Sequence, residues 1–224
     1  MFGFIRKYHA EIASLLINLQ IGLIFLIGCL LMFEKANAKE APASLVPQKA
    51  YKYREFLIKE SRIVWGLTAP SATFASQIHT ESLWNEQAKS FAGAEGLAQF
   101  MPETALWIGS VYIELENGAP YNPKWAIRAL VRYNKWHFDK IRAVDLKNKM
   151  AFTLSAYNGG LGWVLKDKKK AEAAGLNPYA YFGNVEKMNA GRSKRAFTEN
   201  RNYVTFIKSR ESAYMEKGFG NGAF

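Results

Sequence analysis

Cysteine is all but missing from this chain. Cys29 stands alone, so neither an intrachain disulfide nor a cysteine-cluster zinc site can form. Histidine is almost as scarce: His9, His79 and His137 are too few and too scattered for a histidine metal site, and no metal or other cofactor is expected. No HExxH, GxSxG or GxxxxGK[ST] occurs, which removes the signals of zincins, α/β-hydrolases and P-loop proteins. Acidic residues are outnumbered, 19 against 30 Lys plus Arg. The net charge of +11 excludes an acidic solvating protein and favours a polyanionic partner such as nucleic acid, anionic lipid or cell-wall polymer. No alternating run announces a strand pair. Apolar material is plentiful, however: 49% of the 224 residues are hydrophobic, enough for the core of one domain with segments to spare.

Arg6 and Lys7 precede an apolar stretch from Ile12 to Phe33. Ser14, Asn18 and Gln20 interrupt it, and nothing strongly polar appears from Ile21 onward. Its second part suits a secretory h-region, and the whole reaches the roughly 20 residues that a bilayer span needs. Ala36-Asn37-Ala38 places small residues where a signal peptidase reads. Leu26-Ile27-Gly28-Cys29 resembles a lipoprotein box, although the apolar run continues past Cys29. Cleaved signal, retained anchor and lipoprotein all keep the basic residues inside and export the chain beyond Lys39. The expected organisation is a signal peptide or signal anchor over 1–38, a linker with Pro42 and Pro47 over 39–49, a folded domain over 50–217 and a Gly-rich tail over 218–224. The expected location is the periplasm, free or anchored to the inner membrane. Export makes nucleic acid a poor candidate partner, and the positive charge is spread rather than striped.

From Tyr51 the pattern is helical. Tyr53, Phe56, Leu57, Ile63 and Val64 share a stripe with Glu60 as its polar exception, and Gly66 suits a C-cap. Pro70 and Pro102 suit helix starts, and Asn122-Pro123 reads as N-cap and N1 before a stripe of Ala126, Leu130, Tyr133, His137 and Ile141. Further helices are expected over 150–157, stopped by Gly159-Gly160, over 164–174, and over 202–215. The fold class is mostly α.

Four segments carry chemistry. Glu81-Ser82 closes a largely apolar helix. Gly93-Ala94-Glu95-Gly96-Leu97-Ala98-Gln99-Phe100-Met101-Pro102 combines turn glycines with one embedded amide. Ala156-Tyr157-Asn158-Gly159-Gly160 sets a tyrosine and an amide at a helix stop, and Glu199-Asn200-Arg201-Asn202-Tyr203-Val204 comes last. A carboxyl held among apolar side chains has a raised pKa and can serve as a general acid on a glycosidic oxygen. Amides, tyrosine hydroxyls and aromatic faces suit the hydroxyl, acetamido and ring surfaces of a glycan.

These four blocks, in this order, resemble the lytic transglycosylases of the soluble-lytic-transglycosylase type, whose catalytic domain has a goose-lysozyme-like helical fold. The resemblance covers 51–214. It implies that Glu81 is the sole catalytic acid and base, that Gln99, Met101, Tyr157 and Asn158 line a sugar groove, and that Tyr203 bonds to the catalytic carboxyl. It also implies that the substrate is the glycan strand of peptidoglycan, cut between N-acetylmuramic acid and N-acetylglucosamine with formation of a 1,6-anhydro sugar. The third block departs from the family's common Ala-Gly-Pro-Gly continuation, reading Gly159-Gly160-Leu161-Gly162-Trp163, and the stretch over 162–198 is long and basic. The wording of the blocks looks more like phage and prophage members; phage or secretion-apparatus components are left open as partners, beside the inner membrane if the N-terminal segment is uncleaved.

Other readings stand beside this one. Glu95, facing the sugar across from Glu81, would activate water and make the protein a hydrolytic lysozyme; a groove without catalysis would make it a peptidoglycan-binding module. Gln99 serves equally well as a partner for buried backbone. Met101 suits the core better than a specific sugar contact, and Arg201 suits an ion pair better than a ligand. Trp84 and Trp163, beside motifs, are candidates for stacking on sugar rings, whereas Trp107, Trp125 and Trp136 suit the core. His79, two residues from Glu81, belongs to another face of its helix.

Overall fold

In a computed structural model of the protein, residues 45–224 are described and form one compact unit. The expected signal or anchor segment lies outside them. Among the described residues no helix is long and apolar enough to cross a membrane.

The chain is helical, as expected. Among the described residues seven α-helices succeed one another: α1 (Arg54–Trp65), α2 (Ser71–Ser82), α3 (Pro102–Val111), α4 (Pro123–Lys140), α5 (Leu146–Gly159), α6 (Leu161–Ala173) and α7 (Lys194–Glu216). Among the described residues the only β pairing is two isolated bridges that tie Glu95 to Lys89 and to Phe100.

Local chemistry sets the helix ends. α1 stops at Gly66, whose φ of 81° suits a residue without a side chain. Asn122 caps α4, accepting from the backbone N–H groups of Lys124 and Trp125, with Pro123 in the first turn. Asp145 caps α5 through Asn148 N–H, so that helix begins four residues before the expected start. α7 departs furthest from expectation. It begins at Lys194, capped by Ser193, eight residues before the apolar stripe that suggested it. Its first turns bury Asn200 in place of an apolar side chain, and a periodicity of hydrophobic residues does not register a buried amide.

Helix α2 is the centre of the fold. It runs along α7 in the most extensive helix pair and also touches α1, while α5 joins α4, α6 and α7. Every residue of α2 from Ser71 to His79 is buried. Small side chains let the neighbouring backbones approach, and the hydroxyls are satisfied: Ser76 donates to the Ile207 carbonyl at 2.8 Å and Thr73 to Glu211. Glu60, the polar exception on α1, is buried against Arg128 and Arg132 of α4.

The expected domain limits shift at both ends. Val46 is buried, so the folded unit takes in the end of the expected linker. The Gly-rich tail is not a tail. Phe219 is fully buried beside Trp84 and Tyr214, the Asn221 carbonyl accepts from Ala72 N–H at 2.9 Å, and the N–H groups of Ala223 and Phe224 donate to the buried Glu211. Gly218 and Gly220, with φ of 74° and 93°, let the chain fold back. The aromatic rings supply the burial that the composition concealed.

Candidate active site

A groove of about 1160 Å³ runs between the end of α2, the loop that leads into α3, and the N-terminal half of α7. Glu81, Gln99, Met101, Tyr157, Asn158 and Tyr203 all line it, so residues from four separate blocks meet at one surface.

Glu81 sits in the last turn of α2, partly open to the groove, with protein packed densely around its carboxyl. Burial pushes its pKa up to about 8; a hydrogen bond from Tyr203 opposes this and the charge of Glu199 adds to it. The Tyr203 hydroxyl donates to Glu81 Oε1 at 2.5 Å. Burial and the neighbouring Glu81 both raise the tyrosine's own pKa, so it remains a donor.

The loop after α2 is held by the groups that singled it out in sequence. Gln99 has a φ of 48°, and its amide nitrogen donates to the carbonyls of Ala88 and Gly96 at 3.1 and 2.9 Å. It therefore lines the groove and satisfies buried backbone at once. Tyr157 braces the same loop, its hydroxyl donating to the Ala98 carbonyl at 2.7 Å while its ring packs on Phe100 and Tyr133. Met101 lies at the groove wall, 38% exposed, and is not core. Asn158 is placed by Asn200, whose Nδ2 donates to its Oδ1 at 2.9 Å and to the Ser155 carbonyl at 2.9 Å. Gly159 permits this approach of α5 to α7, since a Cβ there would lie 2.8 Å from that amide.

The two loop glycines differ in kind. A Cβ on Gly96 (φ 73°) would lie 1.8 Å from the Pro120 carbonyl oxygen, whereas one on Gly93 (φ 93°) would meet nothing within 4 Å. Gly93→Ala is expected to cost about 1 kcal/mol, the strain of a left-handed alanine. Gly96→Ala adds a backbone collision and is expected to cost about 3 kcal/mol or more. Equilibrium urea unfolding of the two variants reads the difference, and equal losses would contradict the packing of residue 96 on the 120–121 backbone.

The stacking roles considered for Trp84 and Trp163 and the water-activating role considered for Glu95 are not supported, whereas His79 and Arg201 sit as expected. Trp84 is 1% exposed, stacks on Tyr53 and donates to the Tyr214 hydroxyl at 2.7 Å; it is a core residue with no face for a sugar. Trp163 lies under Lys166 and Arg192 and is not among the groove residues. Glu95 is also absent from the lining and is paired with Lys89 at 3.1 Å, so the carboxylate considered as a water-activating partner of Glu81 does not face it. His79 packs away from Glu81 against Tyr214. Burial foremost, then Arg210 and Lys49, push its pKa down to about 4, which keeps it neutral. Arg201 is structural: it pairs with Asp167 and donates to the carbonyls of Glu186 and Met188.

Sequence reasoning missed Glu199 as the second carboxylate of the groove, and with it Lys194, Arg195, Asn202 and Phe206. Glu199, Asn202, Tyr203 and Phe206 have i, i+3, i+4, i+7 spacing, the mark of one helix face. That signal was there to be read once the helix was extended back to Lys194.

The family described as Transglycosylase SLT domain matches residues 66–179, a span that holds Glu81, Gln99, Met101, Tyr157 and Asn158 and stops before α7. The chain is 31% identical over 108 residues to the membrane-bound lytic murein transglycosylase F of Shewanella pealeana, 48% of this chain and 21% of that protein. It is 29% identical over 140 residues to the protein of that name from Aeromonas salmonicida, 62% of this chain and 25% of the relative. The chain thus spans about a quarter or less of these relatives. Among solved structures, the 70 kDa soluble lytic transglycosylase SLT70 of Escherichia coli superimposes with a TM-score of 0.51 at 21% identity, covering 76% of this chain and 25% of SLT70. The last likeness establishes the lysozyme-like helical fold.

Proposed function

Because the chain belongs to the transglycosylase SLT domain family, we propose that it is a peptidoglycan lytic transglycosylase that cuts the β-1,4 bond between N-acetylmuramic acid and N-acetylglucosamine, with Glu81 as acid and then base. The observation that carries this is the Glu81 carboxyl itself. It stands at the groove, raised to about 8 and held by Tyr203, and so is protonated at neutral pH.

In the first step Glu81 gives its proton to the glycosidic oxygen as the bond to the muramoyl anomeric carbon breaks. Positive charge develops at that carbon, and the substrate's acetamido oxygen stabilises it in place of a second carboxylate. The muramoyl 6-hydroxyl oxygen then closes on the anomeric carbon and its proton passes to the Glu81 carboxylate, which restores the acid. No water is consumed. One acid–base group contributes roughly 10²–10⁴-fold, and the positioning of an intramolecular nucleophile supplies much of the remainder. Gln99, Met101, Tyr157 and Asn158 are the residues proposed to hold the sugars. Attachment to a membrane, one of the outcomes expected for the N-terminal segment, accords with the relatives' description as membrane-bound.

Mass spectrometry of the muropeptides released from purified sacculi tests this reading. Products are expected about 18 mass units below those of a hydrolase, the difference being one water. Products carrying that water would overturn the transglycosylase step and turn attention to Glu199, the other carboxylate of the groove.

A further inference from the structure

Behind the Glu81–Tyr203 pair lies a buried row of amides that the mechanism above does not use. Gln77, one turn before Glu81 on α2, and Asn134 on α4 are both fully enclosed. Asn134 Nδ2 donates to the Leu130 carbonyl at 3.0 Å and to Gln77 Oε1 at 2.7 Å. Gln77 Nε2 donates to the Tyr203 hydroxyl oxygen at 3.0 Å, and that hydroxyl donates to Glu81 Oε1.

The direction of this row is set at its far end. A main-chain carbonyl only accepts, so Asn134 must turn its nitrogen toward Leu130. The second hydrogen of that nitrogen then meets Gln77 Oε1, which leaves the Gln77 nitrogen facing Tyr203. The tyrosine oxygen receives an N–H, and its one hydrogen is left for Glu81. Among the described residues Asn134 Oδ1 has no partner. An unpaired interior acceptor is unfavourable, and an apolar residue would avoid it; what an asparagine adds at this position is its nitrogen.

We propose that Gln77 and Asn134 are positioning residues for the acid–base group: they hold the Tyr203 hydroxyl as a donor to Glu81 Oε1, so that the transferable proton of Glu81 rests on its other oxygen. This rests on Glu81 being the general acid. The titratable groups that face Glu81 are Tyr203 and Glu199 from α7 and Tyr157 from α5; Tyr133 of α4 and the cations Lys194 and Arg195 line the same groove. Gln77 and Asn134 carry no charge. Replacing them with apolar residues of similar size leaves all those charges in place, and the Tyr203→Phe background separates an effect that passes through the phenol from a direct one.

The test uses the full chain with Gln77→Met and Asn134→Leu, each alone and combined with Tyr203→Phe. Two quantities are measured: kcat and KM on sacculi as a function of pH, and the carbon-13 NMR titration of the Glu81 carboxyl, assigned by its loss in Glu81→Gln. The Tyr203 bond holds the Glu81 pKa down, so a loosened phenol lets it rise. Gln77→Met is expected to lower kcat about tenfold with KM unchanged and to move the titration upward by roughly half to one unit. Asn134→Leu, one bond further away, is expected to do the same by about threefold and a smaller shift. Neither changes anything more once Tyr203 is phenylalanine. Unchanged kcat and titration alongside a lowered melting temperature would show a merely structural role. A drop that persists in the Tyr203→Phe background would show that the amides do not act through the phenol. Either result overturns the proposal. Should Gln77→Met fold poorly, Asn134→Leu decides alone. A wild-type chain that releases no muropeptides would defeat the functional reading, while the NMR titration would still decide the positioning.

Discussion

Glu81→Gln is expected to abolish turnover and, at alkaline pH, to leave a protein more stable than the wild type. The loss of activity stems from the mechanism: an amide can neither give nor take the proton, and the roughly 10²–10⁴-fold contribution of the group sets the minimum drop. The stability effect stems from linkage. Glu81 has its folded pKa raised from 4.5 to about 8. Its stabilising contribution is therefore fully present below about pH 4.5 and is lost as pH rises toward 8, because the unfolded chain ionises first. Across that window the difference reaches at most about 5 kcal/mol, at 1.36 kcal/mol per unit. Groove water reaching the partly open side chain reduces it to about 2–3 kcal/mol. Glutamine does not titrate. The variant should therefore melt with the wild type near pH 4 and several degrees higher at pH 9, since each kcal/mol is worth about 2–4 °C at this size. The same titration predicts that wild-type kcat/KM falls tenfold per unit above about pH 8. Melting curves at the two pH values and a pH–rate profile check both parts. Coincident melting at pH 9 would show that the carboxyl is not desolvated, and residual turnover near the wild-type rate would remove Glu81 from the mechanism.

The second large effect is expected at Asp167. This residue of α6 is 1% exposed and accepts from Arg192, from Arg201 at 2.7 Å and from Ala190 N–H at 2.9 Å. Both guanidinium groups are themselves largely buried. Asp167→Ala leaves two enclosed cations without their counter-ion, a change that costs about 3–5 kcal/mol. The melting temperature should fall by roughly 10–15 °C. Asp167→Asn keeps an acceptor for Ala190 and should lose less. Activity should fall in the folded fraction too, because Arg201 ties the start of α7 to the carbonyls over 185–188, and that turn of α7 carries Glu199 and Asn202 into the groove. Thermal melts with a parallel activity assay at a low temperature separate the two effects. A shift under about 3 °C would mean that water reaches the guanidinium groups and that the pairing is dispensable.

How much of this was legible beforehand depended on the kind of signal. Helix starts with a chemical cap, such as Asn122-Pro123, could be read locally because one side chain satisfies the free backbone groups of its own helix. The start of α7 could not. Asn200 is buried and Arg201 half-buried by bonds to α5, α6 and the 185–188 segment, partners far along the chain, and a hydrophobic stripe says nothing of them. The residues over 218–224 looked like a tail for a similar reason: glycines suggested a loose end, and only packing shows Phe219 closing the core beside Trp84. Trp84 itself stands close to Glu81 along the chain yet turns to the other side of the helix end, where its N–H finds Tyr214.

The amino-acid sequence alone determined that the protein is helical and that Glu81 is its acid candidate, because repeats of apolar residues and short blocks of special residue types are local properties of a chain; that Tyr203 belongs with Glu81 was implied only by the resemblance of those blocks to a known family. The tertiary structure decided what those residues are to one another. It placed Glu199 in the groove and took Glu95 out, buried the Glu81 carboxyl so that it holds its proton, and aligned Asn134, Gln77 and Tyr203 behind it. Burial and hydrogen-bond direction depend on neighbours supplied by other helices, and these exist only once the chain has folded.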